Sequence, residues 1–275
     1  MTTWFITGIS RGLGKALAEA ALAKGDTVIG TVRGTDRPVE DGSGRLHVLS
    51  ADLSDGGTAE TVTRQAFEIA GQIDIVVNNA GYGLLGALEM AANEDVTRLF
   101  AVDVFAPFRI IKASLPYLRA QGRGHIINIT SVAGRAPGVG TAMYSAAKAA
   151  LEGMSAGLAS EVKPFGIKVT AVAPGAFRTD FLSAHSIRKS DAAGEAYAET
   201  IGKSSAAFDA ADGRQAGDPV LAAEAILELV NSDNPPLHLL LGSDALRRAR
   251  SKIDQVVEEI DAWEAITLRT DFVEA

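Results

Sequence analysis

The sequence contains no cysteine, and its 275 residues include only 4 histidines. A chain without cysteine forms no disulfide, carries no thiolate nucleophile and cannot use thiolates to hold zinc or an iron–sulfur cluster. The histidines are scattered and form no cluster with metal-ligand spacing; they are His47, His125, His185 and His238. We therefore expect no metal site and a chemistry that needs neither thiol nor metal.

Basic residues are outnumbered as well, since 26 Lys and Arg face 34 Asp and Glu and give a formal charge of −8. General nucleic-acid binders need a basic face, so we expect no nucleic-acid partner. No apolar run reaches the ~18–20 residues that span a bilayer, and the start, MTTWFITG, lacks the basic region of a signal peptide. These absences predict a soluble cytoplasmic protein with no membrane partner.

The chain does contain short apolar runs that alternate with Ala/Leu/Glu-rich stretches of helical spacing. The strand-like runs are 3–7, 26–32, 45–51, 73–79, 124–131, 166–174 and 236–242, and the helical stretches are 12–24, 57–70, 95–120, 143–163, 219–231 and 244–265. Several strand runs are apolar at nearly every position, as in a parallel sheet covered on both faces. The pattern predicts an α/β fold, a Rossmann-type doubly wound parallel sheet of about seven strands in a three-layer α/β/α arrangement.

We find no linker that would divide the chain, so we expect a single domain over 1–275. The least regular stretch lies between a predicted strand and a predicted helix, where an α/β fold carries substrate loops. We expect a substrate loop or lid around 178–217 and a C-terminal helix around 244–265.

A glycine-rich turn, TGISRGLG (7–14), follows the first predicted strand and opens into the first predicted helix. Gly8, Gly12 and Gly14 let the backbone turn sharply and approach a pyrophosphate, whose charge a helix N-terminus stabilises. Three glycines also make ordinary tight turns. The position between strand and helix favours dinucleotide binding.

Two arginines bear on which dinucleotide is bound. An acid about 20 residues beyond the glycine turn binds the ribose of NAD, whereas arginine binds the 2′-phosphate of NADP. Arg33 stands where that acid is expected, and Arg11 lies inside the glycine turn. We favour NADP(H) and keep NAD(H) possible, because both arginines could also be solvated surface residues.

Tyr144 and Lys148 lie at i and i+4 of a predicted helix and therefore share one face. The pKa of tyrosine is about 10, and lowering it by about three units requires roughly 4 kcal/mol of phenolate stabilisation. A Lys⁺ at ~4 Å supplies an energy of that order at an effective dielectric constant of ~20. Alone, the pair could equally be a packed tyrosine beside a lysine.

The pair does not stand alone, because Ser131 ends a predicted strand thirteen residues earlier. The motifs TGISRGLG (7–14), DLS (52–54), NNAG (78–81), NITSVAG (128–134), YSAAK (144–148) and PGAFRT (174–179) occur in this order. In order and spacing they resemble the classical short-chain dehydrogenases/reductases. The resemblance runs from about Thr3 to Thr179 and more loosely to the end.

This resemblance implies the role of each residue. Tyr144 would be the general acid/base, Lys148 would lower its pKa and hold the nicotinamide ribose, and Ser131 would orient the reacting carbonyl or alcohol. The implied cofactor-binding residues are Gly8, Ser10, Arg11, Gly12, Leu13, Gly14, Arg33, Asp52, Leu53, Asn79, Ala80, Gly81, Tyr144, Lys148, Pro174, Gly175, Phe177 and Thr179.

One position departs from the family. An asparagine usually supports a water-mediated proton path to the active-site lysine, and Asp103 stands in its place. We include Asp103 among the candidate catalytic residues, because its backbone carbonyl could still bind a water. A carboxylate near Lys148 would stabilise the ammonium and compete for its interaction with Tyr144, so we expect a shifted pH optimum.

The resemblance implies an NAD(P)(H)-dependent oxidoreductase that interconverts a carbonyl and an alcohol. The substrate would be a hydrophobic ketone or aldehyde, hydroxysteroid-like or 3-oxoacyl, bound near Leu84, Leu85, Val139, Phe177, Phe181 and Leu182. The alternatives are a non-catalytic NADP-sensing regulator and an enzyme that dehydrates or epimerises nucleotide sugars. Relatives pair through helices equivalent to 95–120 and 143–163, so we expect a homodimer or homotetramer.

Overall fold

A computed structural model of the chain describes residues 1–35, 39, 41–183, 186–190 and 194–272. Its strands are β1 (Thr3–Ile6), β2 (Thr27–Val32), β3 (Leu46–Ser50), β4 (Ile75–Asn78), β5 (Gly83–Leu85), β6 (Gly124–Ile129), β7 (Ile167–Pro174), β8 (Ile187–Lys189) and β9 (His238–Leu241). Its helices are α1 (Gly12–Ala23), α2 (Thr58–Ala70), α3 (Asn93–Phe100), α4 (Ala106–Gln121), α5 (Val132–Arg135), α6 (Ala142–Val162), α7 (Lys203–Ala211), α8 (Pro219–Asn231) and α9 (Ser243–Leu268).

Seven strands form one parallel sheet in the order β3-β2-β1-β4-β6-β7-β9. The chain builds outward from β1 to β3 and then returns past β1 to continue with β4 on its other side. This reversal of strand order makes a crevice at the carboxyl ends of β1 and β4, where ligands of open α/β sheets bind. The predicted Rossmann-type fold of about seven strands is confirmed.

Helices cover both faces of the sheet, and the sequence explains why. From Trp4 to Ile6, neighbouring residues of β1 point to opposite faces and are all buried, so this part of the strand is apolar throughout. Leu17 of α1 and Ile226 of α8 are buried on one face. Phe67 of α2, Ile110 of α4 and Leu158 of α6 are buried on the other. The result is the predicted three-layer arrangement.

The stretch 95–120, expected as one helix, is interrupted. A π-helical turn, Ala101–Phe105, joins α3 to α4 and contains Asp103. Such a turn inserts an extra residue into the helix, which hydrophobic spacing alone does not predict. The turn aims the Asp103 side chain into the protein, where it is fully buried.

The segment expected as a substrate lid has more structure than its composition suggests. β8 pairs in parallel with β5 as a separate two-stranded sheet, and α7 follows. Residues 184, 185 and 191–193 of this segment, His185 among them, lie outside the described residues. The C-terminal helix α9 begins near the expected position and is longer than 244–265 at its far end. Within the described ranges, no helix has the length and apolarity needed to cross a membrane.

Candidate active site

A cavity of about 970 Å³ lies along the carboxyl ends of the main sheet. The ends of parallel strands meet at one edge, so the loops after β1, β2, β3, β4, β6 and β7 all contribute to its wall. This volume is near the upper limit of the range found for small-molecule and cofactor sites. Segments that follow six different strands therefore meet around one cavity.

The glycine turn after β1 forms one end of the cavity. Gly8 has a φ of +73° and Gly12 a φ of +58°, conformations that side chains rarely adopt. A Cβ on Gly14 would lie 2.3 Å from both the Gly8 carbonyl oxygen and Asn79 Nδ2. The Asn79 amide fixes the turn by donating to the carbonyls of Thr7 and Gly8, at 2.9 and 3.0 Å.

The N-terminus of α1 faces this end of the cavity. Its first turn, Gly12–Lys15, contains no acidic residue, and Ser10, Arg11, Gly12 and Leu13 line the wall. Backbone N–H groups and the positive end of a helix dipole bind phosphate. This geometry fits the pyrophosphate of a dinucleotide.

Arginines gather at the place expected for the adenosine. Arg33 follows β2 and lines the cavity together with Asp52 and Arg98. Hydrogen bonds from Ser54 to the Asp52 carboxylate lower its pKa, and the charges of Arg98 and Arg33 lower it further. Arg98 Nη2 lies 3.9 Å from Asp52 Oδ2. Arg98 was not predicted, because it is on α3 and matches none of the family motifs.

Ser131 and Tyr144 meet on the opposite wall. Ser131 caps α5, and its Oγ accepts a hydrogen bond from the Ala133 N–H at 3.1 Å. The Ser131 hydroxyl also acts on the Tyr144 side chain, where it lowers the pKa of that phenol.

The pKa of Tyr144 is nevertheless raised from its ordinary value. Burial is the largest cause, and the Asp103 carboxylate adds to it, while Lys148 and Ser131 act in the opposite direction. Lys148 therefore acts as expected, but its effect does not exceed that of burial. We expected a lowered pKa for Tyr144. Its pKa is raised instead, because the residue is buried and only 7% exposed.

Lys148 is held between two partners behind Tyr144. Its Nζ lies 3.0 Å from Asp103 Oδ2 and donates to the Ile129 carbonyl at 3.2 Å. The same Nζ is 5.8 Å from the centre of the Tyr144 ring. Burial lowers the pKa of Lys148, but the negative charges of Asp103 and Tyr144 outweigh it and the pKa is raised. Lys148 therefore stays an ammonium.

Asp103 is behind the cavity wall rather than on it. Its Oδ1 accepts a hydrogen bond from the Tyr82 N–H at 3.2 Å, and its Oδ2 contacts Lys148. Burial raises the pKa of the Asp103 carboxyl, against the effect of the ammonium. A Cβ on Gly81 would lie 2.9 Å from Asp103 Oδ2 and 3.2 Å from Lys148 Nζ. Gly81 thus leaves room for a direct carboxylate–ammonium pair.

Most of the predicted site residues lie on the wall of the cavity. Those on its wall are Gly8, Ser10, Arg11, Gly12, Leu13, Arg33, Asp52, Leu53, Asn79, Ala80, Gly81, Ser131, Tyr144, Lys148, Pro174, Gly175, Phe177 and Thr179. Gly14 and Asp103 lie behind the wall, where Gly14 gives space to the turn and Asp103 contacts Lys148.

Apolar side chains cover the cavity beyond Tyr144. Phe181 lies with its ring 5.8 Å from that of Tyr144. The predicted pocket residues Leu85, Val139, Phe177, Phe181 and Leu182 line the wall, and Ile187 and Phe208 of the lid join them. Leu84 is buried in the cluster around Tyr144 instead. Ile187 and Phe208 lie within the stretch expected as the substrate lid, but the sequence did not single them out, because their positions depend on the pairing of β8 with β5 and on α7.

The first turns of α9 complete the wall with Asp244 and Arg248. Asp244 Oδ2 accepts from the Ala176 N–H at 3.0 Å, and Arg248 Nη2 donates to the Ala136 carbonyl at 2.7 Å. These bonds tie α9 to the loops after β7 and α5. Nothing in the sequence signalled them, since the partners are 68 and 112 residues apart.

The comparisons with known proteins agree with this geometry. A family model for short chain dehydrogenase matches residues 2–190. The oxidoreductase BOA17 of Botryotinia fuckeliana is 35% identical over 269 residues, covering 96% of this chain and 97% of that protein. A 3-ketodihydrosphingosine reductase of Bacteroides thetaiotaomicron is 36% identical over 237 residues, covering 86% of each.

Solved structures show the same likeness. A short-chain dehydrogenase from Streptomyces avermitilis is 41% identical and superimposes with a TM-score of 0.91 over 98% of each chain. A metagenomic short-chain oxidoreductase in complex with NADP is 26% identical, with a TM-score of 0.69 over 87% of this chain and 96% of that one.

The α/β fold, the glycine turn and the Ser131–Tyr144–Lys148 cluster define a dinucleotide-dependent class of enzyme. The chain belongs to the short-chain dehydrogenase family of oxidoreductases. The resemblance drawn from the motifs is confirmed.

Proposed function

We propose that the chain is an NADP(H)-dependent oxidoreductase that interconverts a hydrophobic ketone or aldehyde with its alcohol. The observation that carries the proposal is that Ser131, Tyr144 and the Lys148 ammonium lie together on the wall of a 970 Å³ cavity. A relative named as the reductase of a keto compound supports carbonyl reduction. The apolar wall beyond Tyr144 supports a hydrophobic substrate.

A nicotinamide, when bound, supplies or accepts the hydride. Ser131 then donates a hydrogen bond to the substrate oxygen and keeps its own proton, which holds that oxygen in place. Tyr144 delivers its phenolic proton to the same oxygen in reduction and removes it in oxidation. Phe181 and the lid residues exclude water from the phenol, so the proton passes between Tyr144 and the substrate.

Lys148 stabilises the phenolate that reduction leaves on Tyr144. At 5.8 Å from the ring centre, a positive charge contributes about 3 kcal/mol at an effective dielectric constant of ~20. This is of the order required to move a tyrosine pKa by two units. Without the ammonium, the burial that raises the pKa of Tyr144 would act unopposed except for Ser131.

We assign the preference for NADP(H) to arginines at the adenosine end. Arg11, Arg33 and Arg98 all line this part of the cavity. A guanidinium binds a phosphate through two parallel hydrogen bonds, whereas the hydroxyl of NAD offers no matching charge. NAD(H) is the weaker cofactor in this proposal.

The Tyr144→Phe substitution tests the mechanism. We expect it to abolish NADPH-dependent reduction of a panel of hydrophobic ketones and aldehydes while leaving NADPH binding nearly intact. Absorbance measures turnover, and quenching of protein fluorescence measures binding. Tyr117→Phe is the matched control, because Tyr117 stacks on Phe67 outside the cavity.

Turnover of Tyr144→Phe near that of the unchanged protein would contradict the mechanism. Binding of NADPH without turnover of any compound by the unchanged protein would favour the NADP-sensing regulator. We further propose that the partner is a small carbonyl or alcohol, that the protein works in the cytoplasm, and that it forms a homodimer or homotetramer.

A further inference from the structure

The C-terminal helix α9 extends well beyond the surface on which it begins. Ala245 and Ala249 are buried against the protein. From Ile253 to Phe272, every residue is exposed. The stretch Ile253–Leu268 is about 24 Å long at 1.5 Å per residue. In proteins, most of the stability of a helix comes from packing of its apolar face rather than from helix propensity.

The exposed part of α9 carries a continuous apolar strip. Leu246, Ile253 and Ile260 repeat every seven residues, and Val256, Val257, Trp263 and Leu268 widen the strip. Ile253 and Trp263 are each 62% exposed. Heptad spacing of this kind is typical of helices that pair with another helix. No described residue covers the strip.

Charge is divided along the same helix. Arg247, Arg250 and Lys252 lie toward its start, whereas Asp254, Glu258, Glu259, Asp261 and Glu264 lie further on. Two copies in parallel would place basic residues beside basic ones and acidic residues beside acidic ones. Two antiparallel copies would place each basic segment beside the acidic segment of the other. The helix is therefore complementary to its own reverse.

An antiparallel pair centred between Gln255 and Val256 brings the basic and acidic segments together. In this register Arg250 would face Asp261, Lys252 would face Glu259 and Arg247 would face Glu264 of the second copy. Ile253 would lie beside Val257 of the second copy, and the two Val256 side chains would lie beside each other near the centre.

We propose that the exposed strip of α9 binds a second copy of this chain as an antiparallel helix pair. A membrane surface is the less suitable occupant, because acidic residues flank the strip and anionic headgroups repel them. Since Asp244 and Arg248 at the base of α9 line the cavity, the pair would hold those loops of both copies in place.

The first experiment measures association by sedimentation velocity over a range of concentrations. We expect Ile253→Asp together with Ile260→Asp to weaken one association step at least tenfold. Gln255→Asp with Ala262→Asp is the control, because it adds the same charge on the opposite side of the helix. Circular dichroism verifies that both variants keep their helix. Equal association of the unchanged protein and the strip variant would overturn the proposal.

The second experiment tests orientation by charge reversal. Arg250→Glu and Asp261→Arg should each weaken the pair, and the two together should restore it, since the salt bridge re-forms with its charges exchanged. Additive weakening in the double variant would overturn the antiparallel arrangement.

The third experiment uses the absence of cysteine from the chain. Val256→Cys should be bridged between copies by a short bis-maleimide, because the position lies next to the centre. Leu246→Cys and Ala265→Cys should be bridged only when the two variants are mixed. Bridging of each end variant with itself would indicate a parallel pair and contradict the proposal.

Binding to lipid vesicles tests the alternative that the exposed strip of α9 contacts a membrane surface. We expect no co-sedimentation with vesicles of phosphatidylcholine and phosphatidylglycerol. Co-sedimentation that Ile253→Asp with Ile260→Asp abolishes, at unchanged mass in solution, would overturn the second copy in favour of a lipid surface.

Discussion

The contact between Lys148 and Asp103 sets the electrostatics of the catalytic cluster. The two side chains are 5% and 0% exposed and lie 3.0 Å apart. A buried charge is retained when a partner compensates for its lost hydration. The carboxylate keeps Lys148 charged, but it also raises the pKa of Tyr144. One residue therefore stabilises the ammonium and opposes the phenolate.

Replacing Asp103 by asparagine should shift the pH dependence of alcohol oxidation. Asp103 raises the pKa of Tyr144, so its removal lowers that pKa. Oxidation needs the phenolate, so the rise of kcat/KM with pH should move to lower pH. Stopped assays across pH measure this, with Asp233→Asn on the surface as the control. Superimposable profiles would remove Asp103 from the proton chemistry.

Arg33 should determine much of the cofactor preference. Replacing it by aspartate removes a charge-assisted contact to a 2′-phosphate, which contributes about 1.5–3 kcal/mol. We expect NADP⁺ to bind roughly 10–150-fold more weakly, with a much smaller loss for NAD⁺. Titration calorimetry with both cofactors measures the two effects in one variant. Equal losses for both would contradict a role in reading the phosphate.

At the level of elements, the turn between β1 and α1 depends on close backbone contacts. Gly14 lies where the helix, the Gly8 carbonyl and the Asn79 amide meet. The glycine is needed for space rather than for an unusual φ, whereas Gly8 and Gly12 need a positive φ. The three glycines of one motif therefore serve different purposes.

Gly14→Ala should destabilise the protein. Its Cβ would lie 2.3 Å from the Gly8 oxygen, and overpacking of this kind costs about 1–3 kcal/mol. Urea denaturation measures the free energy of unfolding. Gly42→Ala is the control, because a Cβ there meets no atom within 4 Å. An unchanged midpoint for Gly14→Ala would show that the turn relaxes without cost.

Long periodic elements could be predicted from the sequence, and short ones could not. The strands of the main sheet and helices such as α8 carry apolar runs and end signals; Asp218 and Pro219 start α8, and the Asp218 carboxylate accepts from the Val220 N–H. β5 and β8 are three residues each and form only through mutual pairing. The π-helical turn likewise has no local signature.

The site divides in the same way. Ser131, Tyr144 and Lys148 were predicted as site residues because they belong to compact motifs, and the structure places all three on the wall of one cavity. Arg98 and Arg248 lie on helices that carry none of the family motifs, so only the folded structure shows that they line the cavity. Asp103 was noticed in the sequence because it departs from the family pattern. Its direct contact with Lys148 depends on the π-helical turn, which the sequence did not predict.

At the level of the whole molecule, the net charge is negative, whereas positive side chains line the cavity. The chain has a formal charge of −8, yet Arg11, Arg33, Arg98 and Lys148 line the cavity. A cofactor with several negative charges is repelled by the global field and attracted by this local one. The N-terminus of α1 adds to the attraction. Binding therefore depends on where the few positive charges lie.

The faces of α4 and α6 offer an assembly surface separate from α9. Phe105 and Phe108 are 49% and 47% exposed, and on α6 the exposed Gly153 and Gly157 leave open space for a close approach. Both helices cover the same side of the sheet. An apolar rim beside small residues is suited to pairing with its own copy about a two-fold axis.

Phe108→Asp should therefore weaken self-association while α9 is unchanged. Placing a carboxylate in an apolar interface costs at least about 1.4 kcal/mol, or tenfold in association. Light scattering across concentrations measures the mass, and Val220→Asp, an exposed apolar position on α8 across the sheet, is the control. If Phe108→Asp and the unchanged chain have the same mass throughout, α4 and α6 do not form the interface. If the mass falls by half but does not reach one chain, the α4–α6 face and a second surface act together.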